Sequence, residues 1–197
     1  RRPRRPGAQA VSGGVVDAAP GAPRVPAAPA PREPDAGAPH ASDAAHARVS
    51  RQPAAGRPFR IGNVRVDSPF VLAPLAGVSD SPFRRLAREQ GASAVYTEMV
   101  SSEGLVRGSK VTLEYCAFDP SERPIGVQLF GSDPAIMADA ARVLSELPAE
   151  QRPDLIDINM GCPVRKVVSR CAGAALLNNV PLIRDIVAAM VAASALP

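Results

Sequence analysis

The stretch Asp157–Pro163 combines residue types that do chemistry with the spacing of a strand that ends in a turn. Its sequence, Asp-Ile-Asn-Met-Gly-Cys-Pro, predicts a buried strand that is stopped by a Gly-Cys-Pro turn carrying the Cys162 thiol. Strand side chains alternate between two faces, so Asp157 and Asn159 share one face and the apolar residues between them share the other. Burying an unpaired amide or carboxylate costs roughly 1–3 kcal/mol. The polar face is therefore hard to explain by packing alone, and it predicts that a polar group sits beside the carboxyl end of this strand.

The cysteine and histidine content limits the kinds of chemistry available. Cys116, Cys162 and Cys171 form no Cys-x-x-Cys pair, and their odd number argues against a disulfide framework and a zinc site. We therefore expect no metal, and a reducing cytoplasm as the compartment. His40 and His46 both precede residue 59, so proton transfer in the rest of the chain must use other groups near neutral pH.

Composition divides the chain at residue 58. Residues 1–58 are rich in Ala, Pro, Arg and Gly, lack aromatic residues, and carry nine Arg against four acidic residues. Such a segment buries too little apolar surface to offset its ordering entropy, so we predict a disordered leader over 1–58. Residues 59–197 carry fourteen basic and fifteen acidic residues, a balance of about −1, and form the predicted folded domain. No apolar run reaches the roughly 18 residues of a membrane span, so no membrane association is expected.

Strand and helix signals alternate throughout the predicted domain. The strand candidates are Phe70–Ala73, Ala94–Met99, Ile125–Phe130 and Leu155–Met160, and a hairpin over Phe59–Asp67 with Asn63 at its turn precedes them. The first predicted helix begins at a Ser81 cap before Pro82 and is expected to end at Gly91. A second begins with Asp133 before Pro134, and a third begins near Pro181. Two short helices are expected after Val100.

Four apolar strands separated by helices predict an α/β fold with a parallel sheet covered by helices. A small doubly wound sheet and the first half of an eight-stranded barrel are both compatible with this pattern. No Gly-x-Gly-x-x-Gly follows the first strand, which weakens the dinucleotide-binding form of the doubly wound alternative. In a barrel, the site lies at the carboxyl ends of the strands, where each predicted strand changes to polar, Gly or Pro residues.

The segments at these strand ends resemble the tRNA-dihydrouridine synthases, in particular their bacterial B-type branch. The matching motifs are Ala73–Phe83, Thr97–Ser102, Val127–Pro134 and Asp157–Pro163, with Lys166-Val167 just beyond. Leu75 departs from the family pattern, in which Met is common, but the two side chains are both apolar and similar in volume. The resemblance covers the domain and not the leader, and it implies the N-terminal half of a TIM (β/α)8 barrel with about four βα units.

The resemblance also implies an FMN-dependent enzyme that reduces the C5–C6 double bond of selected uridines in tRNA. NADPH reduces the flavin, hydride passes to uracil C6, and Cys162 matches the acid that protonates C5. An ordinary thiol holds its proton at neutral pH yet can release it, which suits that role. The target base must leave its stack to reach the flavin, which requires a cleft. The full-length protein is expected to be a monomer, and the fragment 59–197 is expected to be inactive alone.

The same resemblance assigns roles to other residues of the motifs. The ring of the flavin is expected to contact Pro74, Leu75 and Ala76, and Gln128 is expected to hydrogen-bond its polar edge. Asn159 is expected to orient either the flavin or the uracil. Arg165 and Lys166 are expected to reach tRNA phosphate. Asp157 is favoured as a structural hydrogen-bond acceptor, and Glu98 is a candidate to pair with a neighbouring polar group.

Two other functions remain open on the sequence. One is a flavin barrel that acts on a free pyrimidine, such as a dihydroorotate or dihydropyrimidine dehydrogenase, although the contexts of Asp80–Phe83 and Gln128 favour the tRNA enzyme. The other is an inactive fragment that interacts with RNA through its basic leader. The modified tRNA position is not encoded in any motif of this chain.

Overall fold

The computed structural model describes residues 56–197, so the predicted leader lies outside the described residues except for its last three. The elements are, in chain order, strands β1 (Phe59–Ile61) and β2 (Val64–Val66), helix α1 (Ser81–Glu89), strand β3 (Val95–Ser101), helices α2 (Ser102–Val106) and α3 (Lys110–Glu114), strand β4 (Ile125–Phe130), helix α4 (Pro134–Glu146), strand β5 (Leu155–Ile158), and helices α5 (Arg165–Val168) and α6 (Val180–Ala193). Two 3-10 turns occupy Pro120–Glu122 and Gly173–Asn178.

The first two strands form the predicted hairpin. Ile61 pairs with Val64 in an antiparallel register, so Gly62 and Asn63 make the two-residue turn. Gly62 has a φ of +58°, a conformation that favours glycine in tight turns. The hairpin is a two-stranded sheet of its own, separate in its strand pairing from the parallel sheet that follows.

The predicted strand Phe70–Ala73 is wrong as a regular strand. The segment is extended and makes two backbone hydrogen bonds beside the start of β3, from Ser93 N–H to the Phe70 carbonyl at 2.8 Å and from Leu72 N–H to the Ala94 carbonyl at 3.0 Å. Pro74 follows directly and has no N–H to extend the ladder. The segment thus occupies the position of a first strand with too few bonds to be one.

Strands β3, β4 and β5 form a parallel sheet in that order. The segment before β3 lies beside it at one edge, and at the other edge the Ile156 N–H donates to the Pro197 carbonyl at 2.9 Å. Spatial order therefore follows chain order, as in a barrel, whereas a doubly wound sheet reverses direction at a switch point. The predicted N-terminal half of a TIM barrel is confirmed, and the described strands form an open part of it.

Side-chain caps define where the longer helices begin. The Asp133 carboxylate accepts from the backbone N–H groups of Ala135 and Ile136, which confirms the predicted start of α4. At α1 the cap is Asp80, whose carboxylate accepts from Phe83 N–H at 3.0 Å, so the predicted Ser81 cap was one residue late. Gly91, with a φ of +101°, follows the end of α1 as predicted.

The core lies between the outer face of the sheet and helices α2, α4 and α6. Val127 and Leu129 of β4 are fully buried against Met137 and Leu144 of α4 and Ile186 of α6. Met137 and Leu144 are seven residues apart and so share one face of α4, because burial of one face is what holds an amphipathic helix on a sheet. The inner face of the sheet is consequently free to carry polar residues.

Candidate active site

Three polar side chains form a continuous hydrogen-bonded row on the inner face of the sheet. Gln128 Nε2 donates to Asp157 Oδ2 at 2.6 Å, and Asn159 Nδ2 donates to Gln128 Oε1 at 2.8 Å. Gln128 and Asn159 are 9% and 8% exposed. The parallel register places Gln128 directly opposite Asp157, so strand pairing brings the row together. These partners supply the polar groups that the alternation in Asp157–Pro163 predicts.

The row ends at the turn that carries Cys162. Asn159 Oδ1 accepts from the backbone N–H of Cys162 at 3.0 Å and from that of Gly161 at 3.2 Å. An Asn side chain that bonds the backbone two or three residues later fixes a tight turn. Gly173, with a φ of +59°, lets the chain pass close behind, since a Cβ there would lie 2.6 Å from the Cys162 carbonyl oxygen. Cys162 is half-buried, and its thiol is free.

An irregularity in β3 adds residues to the site that the sequence does not signal. The register against β4 shifts between Tyr96 and Met99, so Met99 lies opposite Gln128. The Thr97 hydroxyl is fully buried and accepts from the Gln128 backbone N–H at 3.3 Å. A bulge of this kind redirects side chains next to functional sites. Here it places Met99 Sδ 3.9 Å from Asn159 Nδ2.

The loop that contains Pro74, Leu75 and Ala76 is held at both of its ends. The fully buried Ser79 hydroxyl accepts from the Leu75 N–H at 2.9 Å and donates to the Leu75 carbonyl at 3.1 Å, which closes a tight turn. The Glu98 carboxylate accepts from the Gly77 N–H and ties the loop to β3, the pairing for which Glu98 was a candidate. Leu75 remains 44% exposed in this turn. The loop is therefore well anchored while its apolar side chain is left accessible.

Burial favours the neutral form of two titratable groups, Tyr96 beside Asp157 and Cys116 in the core. Burial raises the pKa of the Tyr96 phenol, and the negative charge of Asp157 raises it further. Burial likewise raises the pKa of the Cys116 thiol to about 11. Cys116 lies in the core and donates to the Thr112 carbonyl at 3.6 Å, as expected for a structural cysteine.

The predicted site residues fall into three groups in the structure. Gln128, Asn159 and Cys162 are joined by hydrogen bonds, Pro74 to Ala76 lie on the anchored loop, and Arg165 and Lys166 lie exposed on α5 after the turn. Ser79, Thr97 and Met99 were missed, since single hydroxyl and thioether side chains give no pattern in a sequence. Within residues 56–197, no group of His, Cys, Asp and Glu has the arrangement of a metal site. In the same range, no helix has the length and apolarity to cross a bilayer.

Parallel strands in chain order, with polar side chains gathered at their carboxyl ends, define a protein of the (β/α)-barrel class with its site where that class places it. The chain belongs to the dihydrouridine synthase (Dus) family, whose family model matches residues 71–197.

Individual relatives agree with this assignment. The chain is 44% identical over 138 residues to tRNA-dihydrouridine synthase B of Pseudomonas syringae pv. tomato. The matched stretch covers 70% of this chain and 40% of that protein. It is 42% identical over 138 residues to the protein of the same name from Pseudomonas aeruginosa, with the same 70% and 40% coverage. It is 39% identical over 138 residues to the Shewanella oneidensis protein of that name, and the matched stretch covers 70% of this chain and 42% of that protein. The resemblance to the B-type branch is thus confirmed, and the chain spans about 40% of the length of these relatives.

Proposed function

We propose that this protein reduces uridine to 5,6-dihydrouridine in tRNA, in the cytoplasm, with FMN as its cofactor and NADPH as its reductant. The observation that carries the proposal is the hydrogen-bonded row from Asp157 through Gln128 and Asn159 to the backbone of Cys162. In a chain of this family, that row joins buried amides to the backbone of a turn that carries a free thiol at the carboxyl end of a parallel strand. The family match also favours the tRNA enzyme over a dehydrogenase of free pyrimidines.

The FMN part of the proposal is supported by the chemical types of the loop and row residues. An isoalloxazine has wide apolar faces and one polar edge, and the loop carrying Pro74, Leu75 and Ala76 offers an apolar surface of which Leu75 is 44% exposed. Gln128, the residue of the row that lies on β4, offers an amide for the polar edge of the flavin. Bound FMN would supply the hydride chemistry that no side chain of the site can perform.

Cys162 is the proposed proton donor to C5 of the uracil. The Cys162 backbone N–H donates to Asn159 Oδ1 at 3.0 Å, so the backbone that carries the thiol has a defined position. Cys162 is half-buried rather than enclosed, which leaves it within reach of a base that enters the cleft. Positioning of the acid before reaction is a large part of the advantage that a protein gives to proton transfer.

Substrate contacts are proposed for Asn159, Arg165 and Lys166. Asn159 Nδ2 has two hydrogens, of which one bonds Gln128 and the other faces only the weak acceptor Met99 Sδ at 3.9 Å. That second hydrogen is the one available to uracil or flavin. Arg165 and Lys166 are exposed one turn beyond Cys162, where cations suit the phosphates that flank an extruded nucleotide.

A cysteine substitution tests the role of the thiol by separating the two half-reactions. In the protein expressed from its whole coding sequence, Cys162→Ala should leave the oxidation of NADPH by bound flavin within about twofold of wild type. Reduction of uridine in unmodified tRNA should fall by roughly 10²–10⁴-fold, the usual contribution of a general acid. Rapid-mixing absorbance measures the first step, and dihydrouridine analysis of the tRNA measures the second.

The exposed Cys171 provides the matched control, because Cys171→Ala removes a thiol just after α5 without touching the row. Both half-reactions should stay at wild-type rates in that variant. Equal losses of the two steps in Cys162→Ala would contradict the acid role. Oxidation of NADPH with free uracil, and none with unmodified tRNA, would instead favour the free-pyrimidine enzyme.

A further inference from the structure

The hydrogen-bonded row has a direction, and Asp157 is the one member whose chemistry dictates it. A carboxylate only accepts hydrogen bonds, whereas each carboxamide has one end that donates and one that accepts. Gln128 must therefore turn its Nε2 toward Asp157 Oδ2, at 2.6 Å. This leaves Gln128 Oε1 as the group that faces Asn159.

The direction passes along the row to the turn. Because Gln128 presents an acceptor, Asn159 presents Nδ2 to it at 2.8 Å. Asn159 Oδ1 then faces the backbone N–H groups of Gly161 and Cys162, at 3.2 and 3.0 Å. If the Gln128 amide were reversed, two NH₂ groups would meet unless Asn159 reversed with it. The Asn159 NH₂ group would then face the two backbone N–H groups, and the turn would lose its acceptor.

We infer that Asp157 is a positioning residue that sets the polarity of the Gln128–Asn159 row and thereby holds the Cys162 turn in place. Asp157 touches neither Gly161 nor Cys162 in this network and acts on them through two amides. That the turn so positioned serves proton transfer rests on the proposed function. The hydrogen-bond direction itself does not.

The test is amide hydrogen exchange of the 197-residue chain, measured by NMR without cofactor or tRNA. Asp157→Asn keeps the size of the side chain but permits the row to reverse. Exchange at Gly161 and Cys162 should accelerate roughly tenfold, which corresponds to about 1.4 kcal/mol of hydrogen-bond free energy. The Asn159 N–H, which donates to the Leu129 carbonyl at 2.8 Å, should keep its wild-type rate and so reports that the sheet is intact.

A second-site change provides the rescue. In the double variant Asp157→Asn/Gln128→Glu, the carboxylate at 128 accepts from both neighbouring amides, so Asn159 must again turn its oxygen toward the turn. Exchange at Gly161 and Cys162 should return to within about twofold of wild type. Asp139→Asn, a change of the same type on the exposed surface of α4, should alter neither rate.

Three results would overturn the inference: unchanged exchange at Gly161 and Cys162 in Asp157→Asn, an equal acceleration at Asn159, or no recovery in the double variant. Failure of the proposed function is distinguishable from these, because it would show as a wild-type protein that does not reduce uridine in tRNA. That result has no effect on exchange rates measured without substrate.

Discussion

Burial separates the three cysteines into distinct chemical environments. Cys162 is half-buried at the turn, Cys171 is exposed with a φ of 56°, and Cys116 is 5% exposed in the core. Desolvation disfavours a thiolate, so the pKa of Cys116 rises from 9.0 to about 11. The residue type is the same at all three positions, and only the tertiary environment distinguishes them.

Alkylation of the native chain by iodoacetamide should follow these environments. Since the thiolate is the nucleophile, raising the pKa of Cys116 from 9.0 to about 11 lowers its reactive fraction near pH 8 by about a hundredfold. Peptide mass spectrometry should show Cys171 labelled first, Cys162 next and Cys116 last. The denatured chain, in which the rates converge, is the control, and equal native rates at Cys116 and Cys171 would contradict the assignment.

The same pKa has a consequence for stability, with a definite sign. Between about pH 9 and pH 11 the unfolded chain releases the Cys116 proton while the folded chain retains it. The free energy of unfolding contributed by this group is therefore fully present below pH 9 and is lost as the pH rises toward 11.

At the scale of elements, a buried ion pair connects α1 to the turn Pro120–Glu122. Arg84 Nε lies 2.5 Å from Glu122 Oε2, and their side chains are 4% and 0% exposed. Arg84 also donates to the carbonyls of Ser79 at 2.8 Å and Ala117 at 2.9 Å. The pair therefore ties α1 and the last residue of the Leu75–Ser79 turn to the segment 117–122 that precedes β4.

Breaking this pair should destabilise the fold strongly. Glu122→Gln leaves the Arg84 charge buried without a counter-ion, which costs about 3–5 kcal/mol in comparable pairs. The exposed pair of Arg142 and Asp139 is the control, because Asp139→Asn should cost less than about 1 kcal/mol. Urea denaturation measures both variants, and similar small losses would show that the Arg84–Glu122 pair contributes no special stability.

At the scale of the whole molecule, the described sheet has an accessible edge. Phe70 is 60% and Val71 is 42% exposed, and they line a groove of about 400 Å³ with Ala87 and Gln90 of the α1 region. In barrels of this class, the phosphate of a bound cofactor is held by loops after the seventh and eighth strands. Residues 56–197 form the first four units and include none of those loops.

We therefore expect the 197-residue chain by itself to bind FMN weakly and to reduce no uridine in tRNA. Riboflavin is the matched control, because flavin binding without phosphate contacts gives FMN and riboflavin equally low affinity. Equilibrium dialysis with visible absorbance measures both. Stoichiometric flavin that co-purifies with this chain would contradict the expectation.

Much of the architecture follows from the sequence because it depends on local rules. Alternating strand and helix signals predict β3, β4 and β5, and Asp133 before Pro134 predicts the start of α4. Gly91 predicts the end of α1 in the same way. The Asp157–Pro163 pattern also predicts a polar inner face ending in a thiol, since period-two alternation is a local property of one strand.

Only the tertiary structure decides which groups meet across the sheet. The bulge in β3, the pairing of Gln128 with Asp157, and the buried Ser79 hydroxyl depend on contacts between segments that are distant in sequence. The segment Phe70–Ala73 shows that a strand-like sequence alone does not decide whether a regular strand forms, because this segment makes only two ladder bonds at the edge of the sheet. Hydrogen-bond direction and desolvation depend on neighbours in space, and a sequence specifies those neighbours only after it has folded.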